Sequence, residues 1–329
     1  MKAKAIGRKA IRIINSAVNY IVLIIIVLLT AFAGYALWDS NQLHKAADKH
    51  NYAAYKPTAE NQAKSFRELQ DINEEVFAWL SVYGTNIDYP VTQAATNMKY
   101  VNTSAEGRYS LSGSIFLDCR NSNDFSDFNS IIYGHHMAKQ VMFGEIGNFA
   151  DSNVFNSNRY GNLYFDGKDH GIEFFAFVHA DAYDSLVFTP NVHGARCEDY
   201  LDGLRAKAIH TRDIAVTAED RIVLLSTCSS RSTNGRDILA GRISDEVYDD
   251  QSENMTASDW TGRAGPDRLN HLFKENPVLR YILALIPVIA AIVCVLVAYH
   301  RKVRRRRKNR KDSLYDYSQT GKDIKKWKG

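Results

Sequence analysis

Three side chains that can carry chemistry lie beside short apolar runs: the thiol of Cys228, the guanidinium of Arg236 and the imidazole of His135. The run at residues 222–225 leads through two polar residues to Cys228, and a second run, residues 238–243, begins just after Arg236. Strand-forming residues followed by Ser, Asn and Gly predict two neighbouring strands joined by a loop. The pattern therefore places a thiol at the end of one strand and a guanidinium at the start of the next.

Cys228 and Arg236 together suit attack on a carbonyl group. A thiolate is a strong nucleophile at neutral pH, and a guanidinium can hold the developing oxyanion through its forked donors. The alternative interpretation is a buried structural cysteine beside a surface arginine. Arg231, in the Ser-rich loop, competes for the role of Arg236, which we favour because a strand follows it directly. Ser226 and Thr227 are expected to line the groove beside the thiol, although polar residues at a turn need no function.

His135 belongs to the segment I-I-Y-G-H-H-M at residues 131–137. The apolar run stops at Gly134, which permits a sharp exit from a strand, so His135 is expected at the strand tip. An imidazole there can accept and return protons at neutral pH, whereas a surface histidine without function is the alternative. Since successive side chains of extended backbone point to opposite faces, His136 is not expected to share that position.

The sequence predicts no metal and no other cofactor. Adjacent histidines rarely reach one ion, and the chain has no H-x-x-x-H or C-x-x-C spacing. Asp118, Asp124 and Asp127 could surround a calcium ion, but solvated loop carboxylates are the commoner interpretation. The cysteines outside the apolar segments are expected to stay unpaired, with a Cys119–Cys197 disulfide as the alternative.

Two apolar segments, residues 17–38 and 278–299, are long enough to cross a bilayer. Residues 1–15 carry five basic side chains and no acid, residues 300–329 carry a net charge of +10, and the whole chain carries +4, which leaves −11 for residues 16–299. The positive-inside rule then predicts two cytoplasmic termini and an external middle. A cleaved signal peptide is the alternative for the first segment. The basic tail indicates contact with anionic lipid rather than with nucleic acid.

These boundaries predict seven regions. They are a basic N-terminus (1–16), a membrane helix (17–38), N-terminal helices outside the membrane (39–75), a β domain (76–246), a linker (247–277), a second membrane helix (278–299) and a basic tail (300–329). The β domain contains about eight short strand patterns, residues 186–189 among them, and one clear helix at residues 198–208. Many short strands with few helices predict a mostly β fold that forms a small closed or nearly closed barrel.

Five short segments, followed by Arg236, carry a family resemblance in their order along the chain. They are T-N-I-D-Y-P-V (85–91), S-G-S-I-F-L-D (112–118), D-F-S-D (124–127), I-Y-G-H (132–135) and L-S-T-C (225–228). With them the sequence resembles the sortases, cysteine transpeptidases of Gram-positive bacterial surfaces, and class B in particular. The resemblance covers about residues 40–245. It implies a closed eight-stranded barrel with N-terminal and a few peripheral helices, here flanked by two membrane helices.

The resemblance also implies a reaction and the residues that perform it. Cys228 would attack a C-terminal sorting signal of a secreted protein and form a thioacyl-enzyme. His135 would act as acid and base, and Arg236 would hold the oxyanion or the substrate. The acceptor would be a cell-wall peptide amine or, alternatively, a lysine of a pilin. A hydrolytic cysteine protease and a surface module without activity are weaker alternatives.

Two features depart from the class B pattern. The second membrane segment resembles class C, the pilin polymerases, although the lid of class C has no counterpart in this sequence. His136 stands where relatives commonly have Asn. The expected location is the plasma membrane of a Gram-positive bacterium, with the β domain outside and both termini in the cytoplasm.

Overall fold

The computed structural model describes residues 2–58, 64–229 and 232–250, with the backbone alone for residues 2–12 and 64. The helices are α1 (Lys2–Ala46), α2 (Lys64–Ile72), α3 (Ser152–Ser157) and α4 (Arg196–Lys207). The strands are β1 (Val76–Val82), β2 (Asp88–Thr92), β3 (Ile115–Leu117), β4 (Asn129–Tyr133), β5 (Tyr160–Phe165), β6 (Lys168–Asp181), β7 (Ala208–Thr211), β8 (Arg221–Cys228) and β9 (Gly235–Ser244). Arg231, the predicted second membrane helix (278–299) and the basic tail (300–329) lie outside the described residues.

The strands close into a barrel. They form one sheet in the order β5-β1-β2-β3-β4-β8-β9-β6-β7, and β5 also pairs with β6. This additional pairing closes a ring of eight strands and leaves β7 attached to β6 beside the ring. The prediction of a mostly β, closed eight-stranded barrel is confirmed.

Strand β8 shows how the sequence builds the two sides of the barrel wall. Val223 and Leu225 belong to the hydrophobic cluster that fills the barrel. Ile222 and Leu224 belong to a second cluster, which packs beneath the apolar residues of α4. Because side chains alternate along a strand, Thr227 follows the inner set, whereas Cys228 follows the outer set. The thiol therefore lies on the wall's outer face.

Helix α1 contains the predicted first membrane segment. Its residues Ile13–Ala46 include a window with mean hydropathy 2.6, and the helix is long and apolar enough to cross a membrane. Large apolar side chains such as Leu28 and Phe32 are more than 60% exposed, which suits a lipid surround. The first part of α1 forms a unit separate from the compact unit that begins at Gly34.

The segment predicted as N-terminal helices consists of shorter pieces than expected. α1 ends at Ala46, two 3₁₀ turns follow at Lys49–Asn51 and Ala53–Tyr55, and α2 begins at Lys64. The apolar residues Phe66 and Leu69 of α2 are buried in the barrel's main cluster. This helix therefore packs on the barrel, as the spacing of those residues predicts.

Two strand assignments in the second half of the domain were wrong. Residues 186–188 form turns, and the amide of Leu186 donates to Asp184 over 3.1 Å. The apolar residues that suggested a strand pack instead in the cluster under α4, where Val187 is fully buried. Strand β7 was missed because it follows α4 without a break and has only four residues. Pairing with β6 defines it, which a local pattern cannot show.

Candidate active site

Three adjacent strands bring the predicted site residues to one end of the barrel. β4 runs parallel to β8, with Tyr133 beside Ser226, and β8 runs antiparallel to β9. In that last ladder Cys228 lies directly opposite Arg236. Directly opposed residues of an antiparallel pair have Cα atoms about 4.5–5.5 Å apart, and their side chains share one face. The thiol and the guanidinium are therefore neighbours on the outer face.

The chain leaving β4 is held against the end of β8 by two hydrogen bonds. The amide of Gly134 donates to the carbonyl of Ser226 over 3.2 Å, and the hydroxyl of Thr227 donates to the carbonyl of Gly134 over 2.8 Å. A side chain at Gly134 would bring a Cβ within 2.7 Å of the ring of Phe143, so glycine is required for this close approach. His135 follows at once and thus lies beside the end of β8.

His135 is fixed through its ring and its backbone. Its Nε2 lies 2.9 Å from the carbonyl of Val101, and its own carbonyl accepts from the amide of Phe143 over 3.1 Å. Since a carbonyl can only accept, Nε2 carries a proton, and Nδ1 is the proton acceptor of the neutral ring. The imidazole is thereby oriented for proton transfer at Nδ1.

Cys228 and Arg236 both present functional groups that a ligand can reach at this end of the barrel. The Cys228 side chain is exposed, and Cys119 and Cys197 are free cysteines as well. Arg236 is half-buried and donates from Nη1 to the carbonyl of Gly235 over 3.1 Å. Across residues 2–58, 64–229 and 232–250 no carboxylate forms an ion pair with Arg236, so its charge is available to a ligand.

The two polar residues before Cys228 differ in their hydrogen bonding. Thr227 is buried and already bonded to Gly134. Ser226 is buried too, yet its hydroxyl has no hydrogen-bond partner among the residues that the structure describes. A buried hydroxyl without a partner is unfavourable unless something else binds it. Ser226 has the same strand parity as Cys228, so its hydroxyl belongs to the same face as the thiol.

His136 has a different environment from His135. It pairs with Met142 across the loop as an isolated bridge, and its buried Nδ1 has no hydrogen-bond partner within residues 2–58, 64–229 and 232–250. The two histidines therefore have separate surroundings, as the alternation of side chains predicts. Lys139, Gln140 and Met142 in the same loop all have positive φ, a conformation that non-glycine residues adopt at some cost.

Asp118 lies fully buried behind β4 and organises that side of the site. Arg120 donates to both of its carboxylate oxygens over 2.8 Å, and Tyr133 and Asn97 each donate over 3.0 Å. Burial alone would raise the pKa of Asp118, but the hydrogen bonds from Arg120 and Tyr133 outweigh it and hold the pKa below its ordinary value. The charged carboxylate thus fixes Tyr133, two residues before His135.

The calcium alternative finds its carboxylates otherwise engaged. Asp124 accepts from the amide of Ser126 over 2.9 Å, and Asp127 accepts from the Asn121 side chain over 2.7 Å. Each of these carboxylates caps its own turn. Across the described ranges no group of three His, Cys, Asp or Glu side chains is arranged to hold a metal ion.

The carbonyl of Val101 is a part of the site that the sequence does not reveal. It is a main-chain atom 34 residues upstream of the histidine that it orients. No residue type marks it, because any amino acid offers the same carbonyl. The Gly134 turn, in contrast, is visible in the sequence.

Comparisons with known proteins agree with this geometry. No family model matches the sequence. The sortase B of Listeria monocytogenes is 30% identical over 179 residues, which cover 54% of this chain and 73% of the relative. The chain belongs to the sortase family. This sortase is a class B-like cysteine transpeptidase, so the interpretation as a surface module without activity is wrong.

Solved structures place the sortase among class B enzymes. A Streptococcus pyogenes class B sortase involved in pilus biogenesis is 42% identical, with a TM-score of 0.51 over 55% of this chain and 99% of that one. The Staphylococcus aureus sortase B–substrate complex is 25% identical, with a TM-score of 0.56 over 62% of this chain and 97% of that one. Each match thus covers more than half of this chain and nearly all of the solved chain.

Proposed function

We propose that Cys228 is the nucleophile of this sortase, that His135 is its acid and base, and that Arg236 binds the oxyanion or the substrate backbone. The observation that carries the proposal is the ladder that sets an exposed free thiol directly opposite a guanidinium, which forms no ion pair within the described residues. The two hydrogen bonds between the β4 exit and β8 support the position of His135. Cys197 is a poorer candidate, since it is buried and burial raises the pKa of its thiol.

In the first half-reaction the substrate is a secreted protein with a C-terminal sorting signal. The thiol proton passes to Nδ1 of His135, and the sulfur attacks the carbonyl carbon of the scissile peptide bond. Arg236 stabilises the oxyanion. This electrostatic stabilisation is largest in a site that excludes water. The C–N bond then breaks, and the leaving amine takes its proton from His135. A thioacyl-enzyme at Cys228 remains.

The Ser226 hydroxyl is proposed to bind the sorting signal. It is buried, has no hydrogen-bond partner in the described part of the chain, and lies two residues before Cys228 on the same face. A peptide lying across this face would supply the missing partner through its backbone. Thr227, already bonded to Gly134, is proposed to hold the site together rather than to contact substrate.

An amine accepts the acyl group in the second half-reaction. The first candidate is the amine of a cell-wall peptide, which would anchor the secreted protein to the wall. The second candidate is a pilin lysine, which would build a fibre. What favours the second candidate is the 42% identity to a class B sortase involved in pilus biogenesis, which exceeds the 30% identity to the Listeria enzyme.

We infer that α1 anchors the enzyme in the plasma membrane with the barrel outside. The apolar stretch of α1 and the basic residues before it support this orientation. Reporter fusions at Lys2 and Gly329 should both read cytoplasmic, and a fusion within residues 150–160 should read external. A C-terminus outside the cell would contradict the prediction of two membrane helices.

The proposal is tested by the products of the full-length enzyme in detergent with a library of sorting-signal peptides. Wild type should release the C-terminal fragment and join the rest to an added amine. Cys228→Ala should abolish both products while the circular dichroism spectrum stays unchanged, and Cys119→Ala should keep most activity. Cleavage by Cys228→Ala would contradict the assignment. Wall peptide and pilin lysine, offered in competition, distinguish the two acceptors.

A further inference from the structure

The loop that follows His135 reaches the end of helix α1. At the tip of this loop, residues 136–142, the ammonium of Lys139 donates to the side-chain oxygen of Asn41 over 3.2 Å. Both side chains are exposed. Asn41 belongs to the same compact unit as the barrel, which begins at Gly34. The barrel therefore contacts α1 through a loop that starts at the proposed acid and base.

Asn41 lies just beyond the apolar part of α1. The apolar segment at residues 17–38 is about 33 Å long as a helix, close to the thickness of the hydrocarbon core of a bilayer. It ends at Trp38, whose ring packs on Tyr35 with centroids 6.1 Å apart. Both rings are more than half exposed, and Trp and Tyr concentrate where hydrocarbon meets the headgroups. Trp38 thus marks the outer edge of the hydrocarbon core.

Lys139 is consequently held at the level of the lipid headgroups. Asn41 follows Trp38 by three residues, which is about 4.5 Å along a helix, and any tilt of α1 reduces its height above the core. The headgroup layer is roughly 5–7 Å thick on each side of a membrane. Because the Lys139 ammonium lies 3.2 Å from the Asn41 oxygen, it is within reach of this layer.

The charge of Lys139 is available to a lipid. Among the residues that the structure describes, no carboxylate forms an ion pair with it, and Asn41 takes only one of its three donors. Lys45 lies one turn beyond Asn41 on the same face of α1. Asp39 lies on the opposite side, because each residue turns the helix by about 100°. The surface around Asn41 is therefore positively charged and matches the phosphate of an anionic phospholipid.

The conformation of the loop connects this contact with His135. Lys139 and Gln140 have φ values of 59° and 61°, which non-glycine residues adopt at some cost, so the surrounding contacts must fix them. At the base of the loop the amide of Phe143 donates to the carbonyl of His135 over 3.1 Å. A contact at the tip therefore acts on a loop whose base holds the residue that carries the imidazole.

We propose that the loop at residues 136–142 lies on the membrane surface, where Lys139 binds the phosphate of an anionic phospholipid and steadies the loop. The inference rests on the proposed anchoring by α1 and goes beyond it, because it assigns a lipid contact to the barrel itself. The lipid carries a net negative charge, as phosphatidylglycerol does. A zwitterionic headgroup suits the site less well, because its own ammonium group competes with lysine for the phosphate.

The first test measures the reactivity of single lysines in the full-length enzyme. The enzyme is reconstituted in vesicles of phosphatidylcholine alone or mixed with phosphatidylglycerol. A pulse of acetic anhydride, which is uncharged and crosses membranes, acetylates free amines, and mass spectrometry measures the rate at each lysine. Anionic headgroups keep Lys139 protonated, so its acetylation should be about fivefold slower in the mixed vesicles, the effect expected for one lysine at an anionic surface.

Lys168 is the control within the same molecule. It is 63% exposed and begins β6, whereas the other end of β6, Asp181, pairs with Gly235 beside Arg236. Lys168 therefore lies at the opposite end of the barrel from the site, and its acetylation rate should differ by less than twofold between the vesicles. Equal slowing at Lys139 and Lys168 would report a general effect of the surface charge and would overturn the proposal, as would no slowing at Lys139.

The second test measures how the lipid affects the loop. Hydrogen exchange of the amides at residues 137–143 should be slower in the mixed vesicles than in phosphatidylcholine alone. Lys139→Gln should abolish this difference, whereas the matched variant Lys168→Gln should keep it. A difference that persists in Lys139→Gln would overturn the proposal. Failure of the anchor is distinct, because the enzyme would then not float with either kind of vesicle in a density gradient, and this inference would fail with it.

Discussion

The hydroxyl of Thr227 donates to the carbonyl of Gly134 over 2.8 Å, and so joins the residue before Cys228 to the residue before His135. Thr227 points away from the outer face that carries the thiol, so it holds the two strands together without occupying the space for substrate. The separation of nucleophile and imidazole therefore depends on one buried side-chain hydrogen bond, supported by the main-chain bond from Gly134 to Ser226.

Replacement of Thr227 by valine tests this dependence. Valine has a similar shape but no hydroxyl, and it leaves the Gly134 carbonyl without its partner. The free energy of unfolding should fall by about 1–2 kcal/mol, and kcat should fall by about tenfold because the imidazole is displaced. Thr227→Ser should restore both values, as measured by urea unfolding and peptide cleavage. Full activity in Thr227→Val would show that the main-chain bond suffices.

The two histidines should respond differently to substitution. His135→Ala removes the proposed acid and base of both half-reactions, so kcat/KM should fall by several orders of magnitude. His136→Asn places there the residue common in relatives, and it should cost about tenfold or less. Initial rates of cleavage and of amine transfer measure both effects. The reverse pattern would move the catalytic role to His136.

Tyr89 is expected to connect the N-terminal segment with the His135 loop. Its hydroxyl bonds both Ala47 and Met142, so Tyr89→Phe removes two buried hydrogen bonds and should destabilise the fold by about 1–3 kcal/mol. Activity at a temperature where the variant is folded should also fall, because the loop after His135 loosens. Tyr183→Phe, at a side chain that is 84% exposed, is the matched control and should change neither value.

Asp118 should make the fold sensitive to acid. Its pKa in the folded protein lies below its ordinary value, so the carboxylate contributes stability that is fully present above about pH 5 and is lost as pH falls through the folded-state pKa. The difference in unfolding free energy between wild type and Asp118→Asn should therefore be largest at neutral pH and shrink towards pH 3. Urea titrations at several pH values measure it.

A surface aspartate provides the control for this pH dependence. Asp202 is 78% exposed and forms an ion pair with Arg205 at 3.6 Å. Exposed pairs of this kind contribute little, so Asp202→Asn should follow the wild-type profile at every pH. A difference for Asp118→Asn that stays constant from pH 7 to pH 3 would mean that Asp118 acts through shape rather than charge.

The sequence predicts those parts of the site that carry a distinctive residue type at the end of a strand. Cys228, Arg236 and His135 meet both conditions, and the barrel that unites them follows from many short alternating runs. The contacts that orient them are hidden for physical reasons. The Val101 carbonyl has no chemical signature, and the roles of Tyr89 and Thr227 arise from contacts between segments that are distant along the chain.

The same reasoning explains the errors in the fold. Residues 186–189 are apolar because they cover the cluster under α4, and burial without pairing imitates a strand. Strand β7 forms by pairing with the edge of β6. A short window of sequence around β7 does not include that partner strand. Local sequence patterns thus predict well which residues are buried, but they predict poorly which strand pairs with which.

The pairing of β4 with β8 also has a consequence for the time at which the enzyme becomes reactive. The bonded residues Thr227 and Gly134 are 93 positions apart, so their contact belongs to the slow, long-range class that forms late in folding. Until β4 pairs with β8, Cys228 lacks its imidazole neighbour, whereas Arg236 lies opposite it across the local β8–β9 hairpin. A chain in which that pairing has not formed therefore holds a thiol without the imidazole that is proposed to accept its proton. Acyl transfer consequently reports completed folding, and refolding could be followed by the return of turnover.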